Sequence, residues 1–215
     1  MPSPVDLVTA EQLPSTVRDA VEAERLSLLI TAASEALAAH VGYPLHRRLG
    51  VVESAAGRGG QYLWLRSGAV RQVHQVEVRG QLRAPSTYVV ESMVHGRLVA
   101  RGQPWPFTGT WTTGISSTPL DAQDTGEVLV TYDAGWVTPG QRALDTSLVV
   151  DLPAALQLAA VEVLTAAVSR DGRPGDVTSE AIGDTSASYA VGEDGGRGAL
   201  PASARQLAAP FRRRR

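Results

Sequence analysis

Cysteine is absent from the 215 residues, which excludes disulfides and thiolate metal sites. That absence suits a protein assembled in a reducing cytoplasm. Lysine and asparagine are missing too, so every basic side chain is an arginine, and isoleucine stands only at 30, 115 and 182. The codons of these scarce residues are AT-rich, which points to a GC-rich source genome. There is no basic excess either. A formal net charge of -2 argues against a dedicated nucleic-acid binder. The most apolar stretch, Leu152 to Val168, is interrupted by Gln157 and Glu162. It falls short of the ~20 residues a membrane span needs and reads as a core helix. Met1 to Asp6 lacks the basic-then-apolar pattern of a secretory signal.

Chemistry-bearing constellations are scarce as well. His40, His46, His74 and His95 have no metal-ligand spacing. Asp171, Asp176, Glu180 and Asp184 miss the calcium-loop pattern and read as a solvated loop. The glycines between 192 and 198 follow no strand-to-helix unit and lack the phosphate-loop lysine. No Ser–His–Asp or paired-carboxylate arrangement stands out. Spacing thus offers no metal site and no phosphate loop.

What is there is organised in three parts. Residues 5 to 42 carry a helical pattern, with Asp19 and Glu22 in capping-box spacing. Leu26, Leu29, Ile30, Ala33, Leu37 and Val41 form one apolar face. Gly42 is a left-handed stop, and Pro44 prevents resumption. Residues 45 to 136 alternate short β-prone runs with Gly, Pro and Ser. Expected strands are 61–66, 73–79, 87–91, 97–100 and 127–133, with a turn at Gly80 and a long loop from 102 to about 125. Helix resumes near Asp151, expected to cap it, with Pro153 tolerated in the first turn. Its apolar residues lie on nearly every face, so it is expected to be packed on several sides. Residues 178–191 read as an extended segment or hairpin arm, and 201–209 as a short last helix before four arginines.

The fold class expected from this order is α+β. A helical platform (two long helices plus a short C-terminal helix, residues 1–44 and 137–215) carries an inserted small antiparallel β domain, residues 45–136.

Four passages in this order resemble the head-to-tail connector, or adaptor, family of long-tailed phages and gene transfer agents. They are Leu29-Ile-Thr-Ala-Ala-Ser-Glu-Ala-Leu37 with Gly42-Tyr-Pro-Leu45, Gly126-Glu-Val-Leu-Val-Thr-Tyr-Asp-Ala-Gly-Trp136, the helix from Leu152-Pro-Ala-Ala-Leu156, and Thr178 to Tyr189 followed by Leu200-Pro201 and a basic end. Residues 102 to 125 are unmatched. The resemblance implies a non-enzymatic neck subunit of the virion, with no catalytic residue and no cofactor, assembled in the host bacterial cytoplasm. It implies a ring, expected to be twelve-fold, beneath the portal protein. That ring would extend the channel for double-stranded DNA and meet the next neck or tail protein, a stopper.

On that reading the portal-binding candidates are Leu200, Pro201, Arg205, Phe211, Arg212, Arg213, Arg214 and Arg215. The alternative for the arginine tail is a solvated end. Thr178, Ile182 and Tyr189 are candidates for an arm that pairs with a neighbouring subunit, against a hairpin on its own domain. Trp105, Phe107 and Trp111 form a candidate partner-contact loop, against a loop folded over its own core. Trp64 and Trp136 are expected in or near the core. Rival functions are another neck component (stopper or tail completion protein), a carbohydrate- or ligand-binding β module using the 105–111 loop, and, more distantly, a cell-wall hydrolase.

Overall fold

A computed structural model describes residues 2–55, 57–107, 128–171, 179–182, 185–188 and 200–213. The expected contacts Trp111, Thr178, Tyr189, Arg214 and Arg215 lie outside them, as does most of the 102–125 loop. The fold is α+β, in two compact units: Met1–His40 with Thr138–Pro210, and Val41–Val137 with Phe211–Arg215.

The first unit is helical. Its helices are α1 (Ser15–Arg18), α2 (Ala23–Val41), α3 (Pro139–Leu144), α4 (Ala154–Asp171) and α5 (Ala202–Ala208). A short helical turn stands at Ala10–Gln12, and the long helix, expected to start at the Asp19 cap, begins at Ala23. Its first bond runs from Leu26 N–H to the Glu22 carbonyl. Asp19 ends α1 instead of capping α2, so the 19/22 capping box does not form. Working capping boxes stand at Thr9/Gln12 and Thr138/Gln141, and the second starts α3, which the apolar pattern had not signalled. Leu26, Ile30, Ala33, Leu37 and Val41 are buried along α2, as their spacing predicts.

Asp6 ties the N-terminal segment down. One carboxylate oxygen accepts from Thr31 Oγ1 on α2 at 2.7 Å, the other from Ser3 N–H at 2.7 Å. Its carbonyl accepts from Gly140 N–H on α3. Leu7 N–H donates to Ser34 Oγ, and Thr138 Oγ1 to the Pro4 carbonyl. Gly140 is required here, because a Cβ would stand 2.0 Å from the Ser3 carbonyl oxygen.

The start of α4 lies three residues beyond Asp151, with the Pro153 carbonyl accepting its first bonds. Its buried residues are Leu156, Ala159, Ala160 and Leu164, and α5 packs along it through the buried Ala204 and Ala208. One side of α4 stays open, with Leu158 50% exposed. Strands β8 (Ser179–Ile182) and β9 (Thr185–Ser188) pair antiparallel as a hairpin. Among the described residues no helix is long and apolar enough to cross a membrane.

The second unit is two antiparallel sheets. Its strands are β1 (Arg48–Ala55), β2 (Tyr62–Trp64), β3 (Val70–Val78), β4 (Gln81–Leu82), β5 (Tyr88–Ser92), β6 (Arg97–Ala100) and β7 (Val128–Ala134). The four-stranded sheet runs β1-β7-β3-β4 and the three-stranded one β2-β6-β5. Both feed one core: Val128, Val130 and Tyr132 from the central strand, Leu63, Tyr88 and Leu98 from the smaller sheet, and Trp105. The period-2 alternation of β7 is the cause, because it sends every second side chain inward. Strand β1 was not expected. Its core-facing positions include Glu53, and its ladder is broken between Arg48 and Val51, so no apolar alternation marks it. The turn at Gly80 forms with Arg79 and Gly80 both left-handed, φ 53° and 75°, the pairing of a two-residue hairpin.

Candidate functional site

Three surfaces of the chain have the composition of contact sites. The first is where the C-terminus meets its own β unit. Gly42, at φ 95°, turns the chain sharply out of α2, and the segment it opens receives the tail. Arg213 N–H donates to the Val41 carbonyl at 2.9 Å. The Tyr43 hydroxyl donates to the Phe211 carbonyl at 2.8 Å. Trp136 completes the cluster, edge-on to Phe211 at 5.8 Å and 6.5 Å from the Tyr43 ring. Burial pushes the Tyr43 hydroxyl well above its ordinary range, so it stays protonated and keeps donating.

The portal candidates divide on this geometry. Phe211 is engaged with its own chain. The side chains of Arg212 and Arg213 are exposed. Leu200 and Pro201 are half-buried, and Arg205 is exposed on α5. That helix is held to α4 by Ser203 Oγ donating to Glu162 at 3.0 Å.

The second surface is the outward side of α4. Ala154, Leu158 and Thr165 are exposed, and Val161 and Val168 are half-buried. These positions follow the three-and-four spacing of one helix face. Thr165 turns its hydroxyl back to the Val161 carbonyl. Leu158, at 50% exposed, is the large apolar side chain that α4 leaves in solvent among the described residues.

The third surface is the outer side of the three-stranded sheet. Tyr62 is 52% exposed and Trp64 36% exposed; placing Trp64 near the core is therefore corrected. Leu63 takes the inward position, so period 2 sends both neighbours outward. The Arg97 guanidinium lies 5.4 Å from the Tyr62 ring and 5.2 Å from the Trp64 ring, and pairs with Glu91. Tyr, Trp and Arg are the types that dominate interface energetics.

The expected contact loop is also corrected. Trp105 is 0% exposed. Its indole N–H donates to the Gln61 carbonyl at 2.8 Å, and Arg83 lies over its ring at 4.6 Å. It is a core residue because residues 102–107 fold back over the sheets, with Trp105 N–H donating to the Gly60 carbonyl. Phe107 is exposed at the edge of this segment.

For the arm, the described strands β8 and β9 pair with each other; Ile182 stands opposite Thr185. Of the histidines, His74 bonds Asp133 at 2.8 Å. Burial first, and Arg48 second, hold His46 below the usual imidazole range. No group of three or more His, Asp or Glu side chains converges on a metal-sized site among the described residues. The contacts of Tyr43, Tyr62 and Arg97 were missed by sequence reading, although Tyr62 and Trp64 flanking Leu63 carry the period-2 signal.

No family model matches the sequence, and no curated protein matches it. Solved structures do. A chain in the "Neck of native GTA particle computed with C12 symmetry" aligns at TM-score 0.50 and 20% identity, over 100% of this chain and 96% of that one. The fold is similar to that of gene transfer agent neck chains. A chain in the "Neck of empty GTA particle computed with C6 symmetry" aligns at TM-score 0.53 and 18% identity, over 99% and 92%. One in the "Virion of native gene transfer agent (GTA) particle" gives 0.50 and 17%, over 97% and 93%. The likeness thus covers both units and the order in which the chain builds them.

Proposed function

We propose that this chain is a structural, non-enzymatic head-to-tail adaptor of a tailed bacteriophage or a gene transfer agent. It forms a ring under the portal protein, extends the DNA channel and joins the next neck or tail protein. The observation that carries this reading is the end-to-end likeness to neck chains, with 96% of the neighbour's own length aligned. The symmetry named for those particles fits a ring, with twelve copies as the expected number.

The surfaces give the ring its chemistry. The open face of α4 takes a neighbouring copy, because a helix apolar on nearly every face leaves Leu158 exposed in a single chain. The β8–β9 arm, including Ile182, adds to that neighbour. The exposed Arg205, Arg212 and Arg213, with Leu200 and Pro201, meet carboxylates of the portal. In this reading Phe211 anchors the tail root and leaves portal contact to the arginines beyond it. The burial of Trp105 takes the base from a carbohydrate-binding loop, so that rival has no specific support.

The test is assembly. Purified chain mixed with its cognate portal and imaged by electron microscopy is expected to add one ring to the portal's tail-facing end. A chain that stays apart from the portal, while replacing the arginines at 212–215 changes nothing, refutes the adaptor reading. A chain that binds a preformed portal–adaptor complex instead would assign it to the stopper position.

A further inference from the structure

A groove of about 800 Å³ opens beside the β3–β4 hairpin of the second unit. Arg79, Arg83 and Arg101 line it, with Gln81, Gln103 and Thr87 between them, and no carboxylate lines it among the described residues. In a chain of net charge -2 such a concentration of guanidinium groups is a local feature with a local cause.

Two observations show that the groove is built. Arg83 is fixed rather than free: it donates to the Gln103 carbonyl, and its guanidinium lies over the buried Trp105 ring. Stacking and a backbone acceptor hold its plane while fewer than its five donors are used. Arg79 holds a left-handed backbone, φ 53°, at a turn position where Gly or Asn would sit without that cost. A strained residue kept at the rim of a groove marks a place where the side chain matters.

We infer that this groove binds the phosphodiester backbone of nucleic acid. Guanidinium forks, side-chain amides and a hydroxyl are donors that grip phosphate oxygens. The open groove also suits a passing polyanion better than a hot-spot anchor, which needs a deep apolar pocket. Trp105, the one aromatic that lines it, is already filled over by Arg83. A contact to phosphate of this kind is independent of sequence and sensitive to salt. This inference stands apart from the adaptor reading, because the groove either holds duplex or does not, whatever the chain does with a portal.

The test uses the full chain and a fluorescent 20-base-pair duplex, titrated by anisotropy at 50 and 200 mM salt. Two variants are compared: Arg79→Gln with Arg101→Gln in the groove, and glutamine at all four positions 212–215 in the tail. The groove variant is expected to keep its circular dichroism and melting curve, bind duplex at least about fivefold more weakly, and lose about two from the slope of log K against log salt. The tail variant is expected to keep the groove's share. Equal binding by the groove variant and the parent overturns the inference. So does loss confined to the tail variant. Binding of pyrophosphate or poly-glutamate at the groove, without duplex binding, overturns it as well, by assigning the site to a small anion or an acidic protein.

Discussion

Tyr43 and Phe211 are 168 positions apart and joined by one hydrogen bond, from the tyrosine hydroxyl to the phenylalanine carbonyl at 2.8 Å. The bond closes the C-terminus onto the segment that leaves α2. Tyr43→Phe leaves that carbonyl without its donor and is expected to cost about 1 kcal/mol. Phe211→Ala removes the edge-on contact with Trp136 and part of a half-buried ring, about 1–2 kcal/mol. Urea unfolding of both single variants and the double variant checks this. Because alanine keeps the carbonyl that Tyr43 bonds, the two losses are expected to add; an unchanged midpoint for Tyr43→Phe would remove the hydroxyl bond from the stability of the tail root.

Asp133 is gripped from two strands. Its Oδ1 accepts from Gly50 N–H on β1 and bonds His74 Nε2 on β3, each at 2.8 Å. Each neighbour strand has a register break at that point. The His74 bond first, and the Gly50 bond second, hold the carboxyl below its usual range. A depressed carboxyl stabilises the fold above the unfolded value of about 3.9, and that contribution goes as pH falls through the folded value. The stability gap between parent and Asp133→Asn is therefore expected to shrink as pH falls below about 4. Urea midpoints across that range measure it. Parallel curves down to pH 2.5 would remove Asp133 from the acid response.

Trp105 separates a core role from a partner role. Trp105→Ala is expected to cost about 3–5 kcal/mol, read as a drop in melting temperature of the isolated chain. If the variant melts like the parent and fails only to bind a partner, the packing described for this residue is wrong.

Gly135 stands at φ 84°, and a Cβ there would lie 2.1 Å from the His46 carbonyl oxygen. The chain crosses itself at this point, where His46 and Trp136 form a parallel bridge. Both the backbone angle and the contact oppose a side chain, so Gly135→Ala is expected to lose more than about 2 kcal/mol. Gly50, at φ 61° with nothing within 4 Å, is the control. Alanine there meets only the backbone angle, about 1 kcal/mol, and thermal melts of the two variants should differ accordingly.

Leu158→Arg addresses α4. An exposed position tolerates the change within about 0.5 kcal/mol, so the melting curve is expected to hold. Self-association and ring formation on a portal, followed by sedimentation and electron microscopy, are expected to fail. Rings that form normally would clear this face of a role in assembly.

Much of the architecture was legible where burial follows a simple period. The buried face of α2 and the inward set Val128, Val130 and Tyr132 follow directly from spacing. Strand β1 was hidden because Glu53 occupies a core-facing position. It is accommodated there by the Tyr132 hydroxyl at 2.5 Å and Arg66 N–H at 2.5 Å, partners that no local pattern announces. The start of α2 was misplaced because Asp19 and Glu22 match a capping spacing that the turn after α1 pre-empts. Helix α3 announced itself only through Thr138 and Gln141, a box without an apolar run behind it. The surfaces were harder still. Tyr43 with Phe211, and Arg83 with Trp105, meet through chain reversals, and the Trp105 loop reads the same whether it folds inward or reaches out.

The outward face of α4 has a consequence for timing. A lone subunit carries that face, with Leu158 50% exposed, into solvent, and on the adaptor reading only a neighbouring copy covers it. Once one copy is held by a portal, the next is presented with a partner face at a high effective concentration. Assembly would then be nucleated by the docking site rather than by the amount of free protein, and overproduced chain without a portal would be the form most prone to irregular association.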